Sequence, residues 1–256
     1  IEEAVAIYRE LADARPDAFR PHLAMSLNNL SNRLSAVGHA PAALAAIEEA
    51  VAIYRELADA RPDAVRPDLA GSLTNLSTHL SAVGRAPAAL AAIEEAVSIY
   101  RELADARSDA VRPDLAGSLT NLSTYLSALG RTPEALEAIE KAVSIYRELA
   151  DARPDAVRPD LAGSLTNLST HLSAVGRAPA ALAAIEEAVS IYRELAAARP
   201  DAVRPDLAAS LTNLSNRLSD LGRAPEALAA AREAVVTLSP AFLAQPAAFQ
   251  GWMRTM

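Results

Sequence analysis

Apolar residues recur along this chain at steps of three and four, the spacing that places side chains on one face of an α-helix. After Pro67 the recurring residues are Leu69, Leu73, Leu76, Leu80 and Val83. Pro67 fits the first turn of a helix because its missing N–H needs no partner there, and Asp68 suits the positive helix start. Gly84 follows the last apolar residue and fits a left-handed cap. The pattern therefore predicts a helix over about 67–83, which we call helix A.

A second amphipathic stretch begins near Ala86. Its apolar stripe is formed by Leu90, Ile93, Val97 and Tyr100, with Ala89 and Ala96 beside them. The charged residues Glu94, Glu95 and Arg101 fall mainly on the opposite side. No helix breaker follows for about 20 residues, so we predict a helix B that is roughly 30 Å long. The segment 61–67 contains two prolines, which predicts a stiff linker between one helix B and the next helix A.

The same pattern returns every 46 residues. The period is visible in the glycines Gly38, Gly84, Gly130, Gly176 and Gly222. We predict five pairs of helices A and B, over 21–61, 67–107, 113–153, 159–199 and 205–238. A half repeat with helix B alone precedes them at 1–14. Because one amphipathic pair cannot bury both of its stripes, we expect the pairs to stack into a single all-α solenoid over 1–256.

The C-terminal segment 240–256 departs from the repeat. Its residues Phe249, Trp252, Met253 and Met256 are spaced to lie on one face of a helix. We predict a C-terminal helix that caps the last repeat. An anchor for a membrane or for a partner protein is the alternative.

Composition narrows the class of protein. Of the 256 residues 60 are alanine, which favours helices over strands. The chain contains no cysteine, so neither a disulfide framework nor a cysteine-ligated metal is expected. Its net charge of −8 disfavours nucleic acid as a partner. No apolar run is long enough to span a membrane, so we expect a cytoplasmic protein without membrane contact.

The second repeat combines large and small residues at fixed places, which are Leu73, Leu76-Ser77, Leu80, Gly84, Ala89, Ile93 and Ala96. These positions resemble the tetratricopeptide repeat family, and the resemblance implies a right-handed superhelix of antiparallel helix pairs. The period of 46 exceeds that family's usual length of about 34. It is similar to the long repeats of kinesin light chains, which the run Leu27-Asn28-Asn29-Leu30-Ser31 also resembles. A HEAT-like or armadillo-like solenoid, with a period of about 40–47, is the alternative.

The residues form no catalytic constellation. The histidines are His22, His39, His79 and His171, and no two of them are spaced i, i+4 as in a helical metal site. There is also no glycine-rich phosphate loop. We predict no enzymatic activity, no metal site and no cofactor. Glu137 and Lys141 fit a surface ion pair one helical turn apart.

In the resembled family, helices A line a concave face that binds peptides. A helical wheel places six residues opposite the leucine stripe of helix A, namely Gly71, Thr74, Asn75, Thr78, Ser81 and Ala82. The candidate binding residues are an asparagine row (Asn29, Asn75, Asn121, Asn167, Asn213), a threonine row (Thr74, Thr120, Thr166, Thr212) and a variable position (Arg33, His79, Tyr125, His171, Arg217). Related repeats use asparagine at this place to hold a peptide backbone. The alternatives are that the asparagines bond to each other or to backbone, and that the variable position reflects drift at a half-exposed site.

These features favour a protein–protein interaction module whose groove binds a segment of another protein. The groove is expected to be polar and nearly neutral, with Arg33 and Arg217 near its two ends. One alternative is a structural role in which open repeat ends associate with each other. Another is a sensor or regulatory arm of a larger multidomain signalling protein. The arginine-rich, lysine-poor composition is typical of a high-GC bacterium.

Overall fold

The computed structural model describes residues 1–60, 62–107, 110–152, 154–198 and 200–244. All regular structure in these ranges is helical. The chain divides into two compact units, Ile1–Gly130 and Arg131–Met256. The first contains α1 (Glu2–Ala14), α2 (Pro16–Ala36), α3 (Ala40–Ala60), α4 (Pro62–Ala82), α5 (Ala86–Arg107) and α6 (Arg112–Ala128). The second contains α7 (Thr132–Ala152), α8 (Pro154–Ala174), α9 (Ala178–Ala198), α10 (Pro200–Asp220) and α11 (Ala224–Ala244). Across these same ranges, no helix is both long enough and apolar enough to cross a membrane.

Within each unit, consecutive helices pack as antiparallel pairs. Helices α2, α4, α6, α8 and α10 are the helices A of the repeat, and α1, α3, α5, α7, α9 and α11 are the helices B. In the second repeat, Leu73 from helix A and Ile93 from helix B are fully buried, and so are the small residues Ala89 and Ala96. The small side chains allow the helix backbones to approach closely, and the leucine and isoleucine fill the space between them. The predicted fold class, an all-α solenoid of helix pairs, is confirmed.

Glycine forms the turn from helix A to helix B. Gly38, Gly84, Gly130, Gly176 and Gly222 have φ angles between 72° and 81°. Glycine reaches this left-handed region without a steric penalty from a β-carbon. After Gly84, the Arg85 N–H donates to the Leu80 carbonyl over 2.9 Å, which satisfies one of the last carbonyls of the helix. The predicted left-handed cap is confirmed. Val83 lies beyond the end of α4 and is exposed, so its predicted place on the buried stripe is wrong.

The helices A begin earlier than predicted. Four of them start at a proline five residues before the expected one, at Pro16, Pro62, Pro154 and Pro200. The predicted linker at 61–67 is therefore wrong from Pro62 onward. Proline at the first helical position is already preset for the helix, and a second proline such as Pro67 removes only one backbone hydrogen bond. The exception supports this explanation, because α6 begins at Arg112 in the repeat whose sequence has Ser108 at this place.

The last helix B continues beyond its predicted end. Helix α11 extends to Ala244, so the expected boundary between 238 and 240 is wrong. Residues 245–256, including Phe249, Trp252, Met253 and Met256, lie outside the described residues. The capping helix therefore stays a prediction.

Ion pairs cross the exposed surface between successive helices B. They are Arg9–Glu49, Arg55–Glu95, Arg147–Glu187 and Arg193–Glu233, each at 2.6 Å. A second set joins helices A and B of one repeat through Arg66–Glu102 and Arg158–Glu194. The predicted pair between Lys141 and Glu137 is confirmed at 2.5 Å. Each exposed pair contributes at most about 1 kcal/mol to the free energy of unfolding. The main consequence is that the arginines of this surface are already paired with glutamates.

Replacing Pro62 by serine is expected to shorten α4 to the length of α6. A helix that begins at Pro62 bonds the Asp68 amide N–H to the Ala64 carbonyl, whereas in α6 the first bonded amide is that of Leu115, to Val111. Without proline to preset the first turn, the Asp68 amide should lose its protection from hydrogen exchange. It should then exchange as fast as the Asp114 amide of the same chain, which serves as the internal control. Unchanged protection at Asp68 would contradict this explanation of the helix start.

Candidate functional site

Each helix A presents a polar stripe whose residues follow at steps of three, four and three. In α4 the stripe consists of Asp68, Gly71, Asn75 and Thr78, all of them exposed or half-buried. We call the surface that these stripes form within each unit the A face of that unit. Its other members are His22, Met25, Asn29 and Asn32 in α2; Asp114, Gly117, Asn121 and Thr124 in α6; Asp160, Gly163, Asn167 and Thr170 in α8; and Asp206, Ala209, Asn213 and Asn216 in α10. The predicted asparagine row lies on this surface.

The predicted threonine row joins neighbouring helices A. In the first unit Thr74 Oγ1 lies 3.0 Å from Ser118 Oγ, and in the second unit Thr166 Oγ1 lies 3.0 Å from Ser210 Oγ. Each threonine donates its own proton to the carbonyl four residues earlier, over 3.0 Å. The serine is therefore the donor between the helices. Thr120 and Thr212 make the same bond to their own helices, at 3.0 and 2.9 Å.

The asparagine row divides into a bonded member and members without a partner. Asn75 Nδ2 donates to Asn28 Oδ1 over 3.0 Å, and the same oxygen accepts from Ser72 Oγ over 3.2 Å. Asn28 occupies the place that threonine holds in the later repeats. Structural bonding therefore accounts for Asn75. The remaining half-buried members make no hydrogen bond to any of the described residues; they are Asn121, Asn167 and Asn213.

The variable position differs from what the sequence predicted. His79, Tyr125 and His171 are only 5%, 9% and 5% exposed, so their expected accessibility in a groove is wrong. His79 Nε2 lies 3.2 Å from Ser31 Oγ, and Ser77 Oγ lies 3.4 Å from the Tyr125 hydroxyl. The His79 and Tyr125 side chains thus pack against the preceding helix A of the first unit, which covers them. Burial lowers the pKa of both histidines.

The two arginines of the variable position have different surroundings. Arg33 is exposed and lines a cleft of about 300 Å³ with Leu30 and Leu34. The Arg217 side chain is only 18% exposed, and its Nε lies 3.5 Å from Asp220. The second of the expected groove cations is thus covered and paired.

Tyrosines of helices B reach the A face from beneath. The Tyr100 hydroxyl lies 3.4 Å from the point where a β-carbon on Gly71 would sit, and the Tyr192 hydroxyl has the same relation to Gly163. Burial raises the pKa of Tyr100, and the charges of Asp114 and Asp68 raise it further. Tyr192 responds in the same way to burial and then to Asp206 and Asp160. Burial and Asp68 raise the pKa of Tyr54 to about 12. Carboxylates of the A face therefore lie close to these hydroxyls.

Sequence reasoning missed this row of aspartates. A helix that begins at residue 67, as the sequence predicts, has Asp68 in its first turn, but α4 begins at Pro62, which moves Asp68 into the second turn and onto the A face. Burial raises the pKa of the row members, which are Asp68, Asp114, Asp160 and Asp206. The signal that could have revealed the row was its constant distance of three residues from position 71. The A face is acidic, and the expectation of a nearly neutral groove is wrong.

The described ranges contain no group of three or more histidine, aspartate or glutamate side chains arranged to hold a metal ion.

Two family models described as tetratricopeptide repeat match the chain. One matches residues 68–148, and the other matches residues 23–62, 161–198 and 207–237. Together they match well over half of the chain. No curated protein sequence matches it significantly.

Several solved structures are similar to the chain. BtubC (BKLC) from P. vanneervenii is 20% identical, with a TM-score of 0.73 over 93% of this chain and 88% of that one. The nearly identical TPR-like repeats of a candidate kinesin light chain from Podosopora anserina are 20% identical, with a TM-score of 0.65 over 86% and 97%. A Rap protein complexed with Competence and Sporulation Factor is 11% identical, with a TM-score of 0.64 over 87% of this chain and 55% of that one. At these identities the likeness shows the fold alone.

A variant with His79→Gln and His171→Gln is expected to lose part of the pH dependence of stability. An unfolded histidine has a pKa of about 6.5, and burial lowers it in the folded protein, so the unfolded state binds more protons as the pH falls below that value. Stability from these residues is present above about pH 6.5 and declines as the pH falls below that value. Glutamine keeps a donor toward Ser31 without titrating. Urea unfolding above and below that pH measures the difference, and an equal pH dependence in variant and parent would contradict it.

Proposed function

Because the chain belongs to the tetratricopeptide repeat family, we propose that it is a non-catalytic interaction module that binds an extended segment of another protein on the A face. The family and the stacked helix pairs support a protein-interaction module in general. The kinesin-light-chain type of long repeat, expected from the sequence, agrees with the similar Podosopora anserina repeats. The choice of the A face as the binding surface is the specific part of the proposal.

The proposal rests on the half-buried amides of the asparagine row that have no hydrogen-bond partner among the described residues. Asn121, Asn167 and Asn213 are half-buried, and their amides have no partner among the described residues. A half-buried amide without a partner loses hydrogen bonds to water and gains none in return. The bonds between helices A are made elsewhere, by Thr74 with Ser118 and by Thr166 with Ser210. The free amides are therefore not needed to hold the helices together.

A primary amide both donates and accepts, so it can bond to the N–H and C=O of one extended residue. A row of such amides recognises main chain and places no demand on the side chains of the ligand. This chemistry suits a segment of protein better than a compact small molecule. The Rap protein complexed with Competence and Sporulation Factor shares the fold, which agrees with a binding role for such an array.

A variant with Asn121→Ala and Asn167→Ala is expected to bind its ligand about tenfold to a hundredfold more weakly, because each lost hydrogen bond contributes about 0.5–1.5 kcal/mol. The ligands for this test are peptides of about twelve residues selected from a random phage library, with affinity measured by calorimetry. Folding stability should change little, since neither amide has a partner among the described residues.

The matched control is Asn75→Ala, which removes the bond to Asn28. That variant should lower the free energy of unfolding by about 1 kcal/mol. If the double variant is destabilised while its affinity is unchanged, the amides are structural and the proposal fails.

A structural role through association of repeat ends has one observation in its favour. Leu30 and Leu34 of α2 are half-buried, whereas their equivalents in α4, Leu76 and Leu80, are 9% and 4% exposed. An apolar edge of this kind can bury area against a second copy. Light scattering over a range of concentrations tests it, and a constant monomer mass would exclude it.

The proposal includes a bacterial, cytoplasmic protein. The sequence supports this through its arginine-rich composition, with Lys141 as its single lysine, and through its lack of cysteine. A role as the sensor arm of a larger signalling protein is compatible with binding on the A face.

A further inference from the structure

The most unusual chemistry of the A face lies where its aspartates and the tyrosines of helices B meet. Within the first unit, the charges of Asp114 of α6 and Asp68 of α4 both raise the pKa of Tyr100. Within the second unit, the charges of Asp206 of α10 and Asp160 of α8 both raise the pKa of Tyr192. We call each such group an Asp–Tyr–Asp cluster.

We propose that the segment bound on the A face is basic, and that each Asp–Tyr–Asp cluster holds one of its arginine or lysine side chains. This inference rests on the proposed function and adds the chemical class of the partner. The tyrosine hydroxyl and the two carboxylates together form the recognition site for the cation.

The hydroxyl of Tyr100 points toward the A face. Tyr100 is 4% exposed, and its hydroxyl lies 3.4 Å from the β-carbon position of Gly71, on the side of the A face. Asp68 lies three residues before Gly71, on the same side of the helix. The Tyr100 hydroxyl makes no hydrogen bond to any residue that the structure describes, whereas the Tyr192 hydroxyl donates to the Pro159 carbonyl over a long 3.5 Å. A hydroxyl that is directed at a glycine gap and has no partner, or only a distant one, is available to a ligand atom above it.

The aspartates of the A face have no compensating positive charge among the described residues. Among the described residues, no lysine or arginine pairs with Asp68, Asp114, Asp160 or Asp206. The arginines of helices B are used instead by glutamates on the opposite surface, as in Arg55–Glu95 and Arg147–Glu187. Burial raises the pKa of the four aspartates, so a nearby cation would stabilise their charged form. A guanidinium or ammonium group supplies that charge and donors for both carboxylates and the hydroxyl.

The distance between neighbouring helices A matches the distance between every third side chain of an extended peptide. Neighbouring helices A are in direct contact through Thr74 and Ser118, so their axes lie about 8–10 Å apart. Asp68 and Asp114 occupy equivalent positions of these two helices, 46 residues apart. An extended polyproline-II segment rises about 3.1 Å per residue with three residues per turn, which places every third side chain about 9 Å further along the same side. A basic residue at every third position of the ligand therefore matches the repeat.

The chain offers a matched control for the aspartate row. Asp13, Asp59, Asp105 and Asp151 also recur once per repeat and are exposed like the aspartates of the A face, but they lie near the ends of helices B. The fourth repeat carries Ala197 at this place, so a neutral residue is tolerated there. Replacing these four by asparagine removes the same charge from the protein as replacing the four aspartates of the A face.

The experiment uses fluorescein-labelled peptides of about twelve residues with arginine at every third position in a glycine, serine and alanine background. Peptides with glutamine or glutamate in place of arginine are the ligand controls. Fluorescence anisotropy should show at least about tenfold tighter binding of the arginine peptide than of the glutamine peptide. The variant with Asp68→Asn, Asp114→Asn, Asp160→Asn and Asp206→Asn should lose that preference, while the helix B control variant should retain it within about twofold.

Two further variants test the tyrosine and the glycine. Tyr100→Phe with Tyr192→Phe should weaken arginine-peptide binding by about threefold or more, since only a hydroxyl is removed. Gly71→Ala with Gly163→Ala places a methyl group between the ligand and the hydroxyl, and should weaken binding without loss of thermal stability. A purely packing role for the glycines would instead lower the melting temperature and leave affinity unaltered.

The outcomes separate this inference from the proposed function. If the two aspartate variants lose affinity equally, the attraction is general to the charged protein, and the inference is wrong. If phage-selected peptides depend on Asn121 and Asn167 but lack basic residues and tolerate the A-face aspartate variant, the proposed function stands and the inference is wrong. If no peptide depends on any A-face residue, both are wrong.

Discussion

The close approach of successive helices A is the constraint on which the other features depend. It is possible because the residues at the crossings are small; Ala70 and Ser77, for example, have no exposed surface. Once the helices are that close, Thr74 comes within 3.0 Å of Ser118, and the side chain at position 79 is enclosed against Ser31. The same closeness allows the charges of both Asp114 and Asp68 to act on Tyr100. Packing, hydrogen bonding and charge on the A face thus follow from the choice of small residues in the interior.

Charged side chains are paired on the surface of helices B, whereas the aspartates of the A face are not. On helices B, each carboxylate of the repeated pairs faces an arginine about forty positions away, as Glu95 faces Arg55. Such pairs are weak individually, but they leave little unbalanced charge. On the A face the aspartates have no described partner, and burial disfavours their charged form. A surface that keeps unbalanced, partly buried charge is less stable than it could be, which is typical of a binding surface.

The sequence predicted the repeat, the leucine stripes and the glycine turns, because each of these follows from a local rule of spacing or of backbone conformation. The start of helix A could not be derived in the same way. Two prolines five residues apart, such as Pro62 and Pro67, fit either a linker or a helix whose second turn tolerates proline. Tertiary burial of Val65 and Leu69 decides for the helix. The difference of five residues moved Asp68 from the helix start to the A face, so one wrong boundary hid the aspartate row. The burial of His79 could not be predicted for another reason. A helical wheel describes one helix alone, whereas His79 is covered by the preceding helix A.

Differences between near-identical repeats show which features packing requires. Tyr54 and Tyr100 are equally buried, each at 4% exposed. The helix A position above Tyr100 is Gly71, whereas the equivalent position above Tyr54 is Met25. The tyrosine therefore packs without glycine above it, and the gap over the Tyr100 hydroxyl is not a demand of the core. In the fifth repeat the tyrosine is replaced by Leu238, which has no hydroxyl, and the glycine by Ala209. The second and fourth repeats, by contrast, keep hydroxyl and glycine together, at a cost of about 1 kcal/mol for each helical glycine relative to alanine. A gap that packing does not need, maintained over a hydroxyl between two carboxylates, is best explained by access of a ligand to that hydroxyl.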